Sequence, residues 1–315
     1  MHIRSPQDVT DAVLEQLAHA PDERFREVMS AAVRHLHAFA REVQLTEPEF
    51  QAACRMVARM GQLTTASHNE VVLTAGSLGL SALVCLLNNG QGGQAPTTAN
   101  LMGPFWRDAS PPTANGASLL RGATPGTRLF VRATVTDTQG RPVAGARVDV
   151  WHASAEGYYE NSDPEQVEMN LRGRFTSDAT GQVWFQTIMP ASYPVPADGV
   201  AGDLLRAQGR HNMRPAHVHF MIQQDGFKTQ FSQVYWQDDP FLASDAQFGV
   251  TAATIGDYRT HSGTEAPDGR SYPQWMSLEH RFVLDTGEAR LPPPPVRAKT
   301  QGPRAELVRP DAAAR

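Results

Sequence analysis

The chain has 315 residues, 41% of them apolar and 19% charged, and a net charge of −5. That balance fits a folded protein with a sizeable core, excludes global disorder, and offers no basic face for nucleic acid. The two cysteines, Cys54 and Cys85, make neither a disulfide framework nor a zinc pattern and fit a reducing, cytoplasmic setting.

The first residues, MHIRSPQDVTD, carry charge where a signal peptide would need an apolar stretch. Amphipathic patterns then run over Val9 to Leu17 and Phe25 to Phe39 and predict helices. Thr46-Glu47-Pro48-Glu49 reads as a capping box ahead of Phe50, Met56, Val57 and Met60. Ser67-His68-Asn69-Glu70 reads as another, with Ser67 as the cap and Glu70 reaching back, before an apolar-rich run from Val71 to Leu87. Its longest apolar part, Leu78 to Leu87, is too short to span a bilayer, so no membrane protein is expected.

The stretch GQGGQAPTTA, Gly90 to Ala99, has linker composition, and beyond it the pattern turns to strands. Leu129, Val131, Ala133 and Val135 alternate with Phe130, Arg132 and Thr134, and a turn-rich segment leads to Val148–Trp151. Gly173–Thr176 and Val183–Ile188 flank Asp178-Ala179-Thr180-Gly181, and Ala216–Ile222 and Phe227–Trp236 flank Gly226. Short strands separated by turns predict a β-sandwich. From Leu291 the chain is rich in proline, arginine and alanine and reads as an extended tail.

One strand carries the motif RPAHVHF, Arg214 to Phe220. Residues two apart on a strand share a face, so His217 and His219 could share one metal ion or simply fill polar slots in a sheet. A cupin-like iron site would add a carboxylate four or five residues later, where this chain has Gln223 and Gln224. Tyr159 in EGYYE and Tyr193 in MPASYPVP stand near strand ends and could supply hard phenolate donors instead. Spacing alone leaves these readings open.

The ordered set WHA (Trp151 to Ala153), GYY, NLRGR (Asn170 to Arg174), MPASYPVP, GRH and RPAHVHF closely resembles the intradiol ring-cleavage dioxygenases. LMGPFW and the helical segment ending SLGLSAL extend the resemblance upstream, towards the catechol and hydroxyquinol branch. It implies an α+β protein: a helical dimerisation domain over 1–95, an antiparallel β-sandwich catalytic domain over 96–290, and a tail over 291–315. It also implies a homodimer, with a phospholipid at the helical interface of relatives.

By the same resemblance, non-haem Fe(III) is held by Tyr159, Tyr193, His217 and His219, with a solvent hydroxide as fifth ligand. Tyr193 would leave the metal as a catecholic substrate arrives, taking one of its protons. Arg214 would stabilise charge on the ring, and Gln233 would support the ligands. Leu73, Gly76, Leu101, Met102, Gly103, Phe105, Pro194 and Val250 would line the substrate pocket, while His152 and His211 read as structural. The segments after Tyr193 and around DAQFGV (Asp245 to Val250) favour hydroxyquinol, with catechol or chlorocatechol as the alternative and O2 as co-substrate. Gly76 departs from the acidic residue that hydroxyquinol enzymes tend to carry there.

Overall fold

In the computed structural model, residues 2–301 are described, together with 303, 304, 306, 307 and 309. They fall into two compact units, divided between Arg59 and Met60. The first unit contains α1 (Pro6–Leu17), α2 (Glu23–Glu42) and most of α3 (Glu47–Leu63). Ser5 and Asp8 make a reciprocal capping box on α1, and Pro6 sits in its first turn, where a missing N–H costs nothing. The buried Thr10 hydroxyl ties α1 to α2 through His37 (3.0 Å) and Arg41 (2.8 Å). At α3, Glu49 accepts from Thr46 N at 2.9 Å, as its capping box requires.

The apolar run after Ser67 folds differently from expectation. It makes two helices, α4 (Glu70–Ser77) and α5 (Leu80–Asn88), broken at Gly79 (φ 75°). The two axes meet at 81°, and no single described helix is long and apolar enough to cross a membrane. The cap of α4 is Asn69, which accepts from Val72 N at 3.0 Å, and not Ser67. Glu70 does not reach back. Its buried carboxylate instead accepts from Ala201 N (2.8 Å), at the start of a later helix, and meets His68 Nε2 at 2.7 Å. This contact places α4 and α5 in the same unit as the sheet.

After a short left-handed turn, α6 (Gly90–Gly93), the strands are β1 (Arg128–Asp137), β2 (Arg147–His152), β3 (Arg172–Thr176), β4 (Gln182–Ile188) and β5 (Tyr193–Pro194). Helix α7 (Val200–Ala207) precedes β6 (Met213–Arg214), β7 (His217–Gln223), β8 (Gln230–Trp236), β9 (Ile255–Ser262) and β10 (Gln274–Leu284). The long strands run in the order β3-β2-β7-β8-β9-β10-β1-β4. Rings from opposite ends of that order meet: Phe175 of β3 stacks on Phe185 of β4 (5.0 Å), and Phe220 of β7 meets Phe282 of β10 (4.8 Å). The sheet therefore folds over itself into two packed layers around one apolar core.

The expectation of a strictly antiparallel sandwich is corrected. β1 runs parallel to β10 over its whole length, and β8 runs parallel to β9 over two residues. Long connections make this possible, because a parallel neighbour cannot be reached by a hairpin.

The segment after Leu291 forms no helix or strand among its described residues, yet it is anchored. Val296 is buried, Thr300 N donates to Asn161 O (2.8 Å), and Arg304 lies over the Tyr158 ring (4.0 Å) while pairing with Glu156 and Asp163. The rest of the expected tail lies outside the described residues.

Candidate metal centre and active site

Strand pairing assembles the site. On β7, His217 lies opposite Tyr235 of β8, and His219 lies opposite both Gln233 of β8 and Trp151 of β2. Cross-strand partners share a face, so these five side chains crowd one end of the sheet. Trp151 stacks on His219 (4.6 Å, 11° between planes). On the other side Gly103 approaches closely: a Cβ there would stand 3.2 Å from His219 Cε1, and its φ of 71° also favours glycine. The imidazole is thus held between an indole and a backbone.

The tyrosines arrive from loops. In the two-residue ladder of β5 and β6, Tyr193 sits opposite Arg214. Tyr159 precedes Glu160, whose fully buried carboxylate is gripped by Arg172 (2.6 Å) and Arg107 (2.8 Å). Arg172 also donates to Phe105 O and Asn161 Oδ1, both at 2.8 Å, so one guanidinium ties the two residues after Tyr159 to the segment that carries Phe105. Phe105 completes the support by stacking on the Tyr159 ring (4.4 Å). We expect Glu160→Gln to destabilise the protein by about 3–5 kcal/mol, because Arg172 stays buried without its anion and Arg107 keeps only the exposed Glu168. Urea unfolding measures it; a loss under about 1 kcal/mol would contradict this account of the loop.

Four polar atoms converge. Tyr159 Oη lies 3.2 Å from Tyr193 Oη, 3.4 Å from His217 Nε2 and 2.9 Å from His219 Nε2, and the two Nε2 atoms are 3.1 Å apart. Donors sharing a metal at about 2.0–2.1 Å, with angles of about 90–110°, stand about 2.8–3.4 Å apart, so the set has the right spacing. His217 Nδ1 is 2.6 Å from Pro215 O, which can only accept; its proton is therefore on Nδ1, and Nε2 presents a lone pair to the centre. Among the described residues no three of His, Cys, Asp and Glu converge, so any metal here depends on the phenols.

Electrostatics agree with that reading. Burial, helped by the Arg214 charge, pushes His217 down to about 3, and burial beside His217 pushes His219 well below the usual histidine range. Both imidazoles are neutral at neutral pH. Burial, with Tyr193 alongside, holds the Tyr159 phenol well above its ordinary value. Burial raises Tyr193 too, while Arg214 pulls it back. Two neutral imidazoles and two weakly acidic phenols are a site that a hard, highly charged cation would complete by ionising the phenols.

Arg214 is buried, with Nε and Nη2 on Asp245 (2.9 and 3.0 Å) and Nη2 also on Gln233 Oε1 and Tyr235 Oη, both at 2.7 Å. Gln233 in turn donates to Leu101 O (2.8 Å). The sequence reading missed Asp245, Tyr235, Glu160 and Arg172 as functional supports. Tyr235, two residues after Gln233 in FSQVY, carried a same-face signal, whereas Asp245 and Glu160 had none that spacing could show.

A cavity of about 740 Å³ opens onto Tyr193 and Arg214 and is lined by Leu73, Leu101, Met102, Gly103 and Phe105. Three expected lining residues stand elsewhere. Pro194, next to Tyr193 on β5, lines a second cavity of about 520 Å³ that it shares with Phe105, Tyr159 and Tyr193. Gly76 is covered by the Gln247 side chain, and it is Gln247, not Val250, that the DAQFGV loop presents to the first cavity. His152 and His211 lie outside the cluster: His152 is bonded to Ala153 O and Thr187 Oγ1, and His211 to Ser244 Oγ.

Residues 101–286 match the family described as Dioxygenase, and residues 22–95 match the Catechol dioxygenase N terminus. A 6-chlorohydroxyquinol 1,2-dioxygenase of Cupriavidus pinatubonensis is 40% identical over 82% of this chain and 93% of its own length. A catechol 1,2-dioxygenase of Candida albicans is 35% identical over 78% of this chain and 81% of its own. The solved hydroxyquinol 1,2-dioxygenase of Pseudomonas putida DLL-E4 superposes with a TM-score of 0.78 at 35% identity, covering 90% of this chain and 99% of that one.

Proposed function

This chain belongs to the intradiol ring-cleavage dioxygenases, and from that premise we propose that it opens hydroxyquinol with O2 at a non-haem Fe(III). The bond between the two adjacent hydroxyl-bearing carbons breaks, both oxygen atoms enter the product, and the product is a hydroxymuconate or its tautomer maleylacetate. The convergence of Tyr193, His217 and His219 within 3.4 Å of the Tyr159 hydroxyl, beside a cavity lined also by Arg214, carries the proposal.

The ferric ion, when bound, would supply the binding point for the catechol oxygens and the redox chemistry with O2. Everything else falls to the chain. Tyr193 Oη, as a phenolate, accepts one substrate proton when the diol binds, and Arg214 across the β5–β6 ladder favours that charged form. The Arg214 guanidinium, locked by Asp245 and Gln233, holds fixed positive charge where negative charge develops on the ring. Leu73, Leu101, Met102 and Phe105 shut water away from the reacting face.

Helix α5 leaves Leu80, Leu83, Val84 and Leu87 exposed, a face suited to pairing two copies, with a phospholipid at that interface by the same family reading. Light scattering on the intact chain checks the pairing; a monomer at micromolar concentration contradicts it.

A second substrate reading, catechol or chlorocatechol, is favoured by the likeness to the Candida albicans enzyme. Steady-state rates on hydroxyquinol, catechol and 4-chlorocatechol, with mass analysis of the products, decide between them. The proposal expects the highest kcat/KM with hydroxyquinol. Cleavage of none of the three by iron-loaded protein would overturn it, as would a yellow semialdehyde product.

A further inference from the structure

Gln247 is buried, lines the cavity shared by Tyr193 and Arg214, and lies against α4 at a position open only because residue 76 is glycine. A Cβ on Gly76 would stand 1.7 Å from Gln247 Oε1 and 2.8 Å from its Cδ. The orientation of the amide follows from its partners. Ser77 Oγ gives its only proton to Leu73 O (3.0 Å), so towards Gln247 it can only accept. The Gln247 contacts to Ser77 Oγ (2.8 Å) and Leu73 O (3.4 Å) must therefore both come from Nε2. Oε1 then lies over Gly76, with no hydrogen-bond partner among the described residues, and it is not among their fully enclosed unpartnered polar atoms.

The backbone of the same residue fixes the register. Gln247 N donates to Asp245 Oδ1 (3.1 Å), the carboxylate oxygen that also receives Arg214 Nε. The free acceptor is thus tied, through one carboxylate, to the charge that faces the ring.

We infer that Gln247 Oε1 is the acceptor for the third ring hydroxyl of the substrate, and so the residue that prefers a triol over a plain or chlorinated catechol. The inference rests on the proposed intradiol function. A hydroxyl is a donor and chlorine is not, so only the triol satisfies an otherwise unpaired acceptor in an apolar cavity. The glycine at position 76 is the complement: it makes room on α4 for an acceptor delivered from another loop.

The test compares iron-loaded wild type with Gln247→Leu and Gly76→Ala. Alanine favours the helix at position 76 while its methyl pushes the amide away, so this second variant removes the acceptor without touching Gln247. In each variant the ratio of kcat/KM for hydroxyquinol to that for catechol should fall about 10–100-fold. In Gln247→Ala/Gly76→Asp, an acceptor returns from α4 and the ratio should recover by at least about tenfold. If both single variants keep the wild-type ratio, or lose both substrates by the same factor, the assignment fails. If wild type itself cleaves neither ring, it is the proposed function that fails.

Discussion

Tyr159→Phe should abolish tight ferric-ion binding and lower turnover by at least about a thousandfold, while the chain still folds. The change deletes one oxygen. The phenylalanine ring keeps the stack on Phe105 and the edge contact with Tyr193 (5.2 Å), so packing is preserved. What disappears is one of the two anionic donors that the chain would supply; the neutral imidazoles offset none of the metal's charge. The buried phenols are also held above their ordinary acidity range, so loading must release their protons, and ferric affinity should rise with pH until both are ionised. Metal analysis after dialysis, with thermal unfolding of the metal-free protein, checks both halves. A variant that keeps a full complement of iron would remove Tyr159 from the ligand set.

The second large effect is expected at Arg214. Arg214→Met should cut kcat by about 10²–10³-fold, the usual cost of removing one preorganised charge partner of a transition state. It should also cost about 3–5 kcal/mol of stability, because Asp245 would remain buried without its cation. These losses are separable. Arg214→Met/Asp245→Asn removes the stranded charge and should regain most of the stability, while kcat stays low. Iron content should match wild type in both variants, since Arg214 is not placed among the ligands. Recovery of kcat together with stability would show that the guanidinium serves the fold alone.

Much of the architecture was legible because it is local. Alternation over Leu129–Val135 and Val183–Ile188 marks β1 and β4, and HVH on one strand places two imidazoles on one face. Strand β10 was missed because polar His280 occupies an inward position between Leu278 and Phe282, which breaks the apolar alternation. Strand β9 offers only Tyr258 as a buried apolar side chain, with Gly256 beside it, so its pattern is thin. The parallel pairing of β1 with β10 joins residues nearly 150 apart, and no local signal encodes it.

The site divides in the same way. The family's motifs nominated its donors, but the clamps that aim them come from elsewhere in the chain. Asp245 holds Arg214, Glu160 is gripped by Arg107 and Arg172, and Gly76 makes sense only once Gln247 is seen lying on it. The capping box at Ser67 failed for a related reason: a buried contact to Ala201 drew Glu70 away from its local role.

The central claim is that two phenols and two imidazoles hold one ferric ion. Metal analysis and visible absorption of the intact purified protein test it most directly. The account predicts one iron per chain and a red-brown colour from tyrosinate-to-Fe(III) charge transfer, both lost in Tyr159→Phe. A colourless protein that takes up no iron after ferric reconstitution would contradict it.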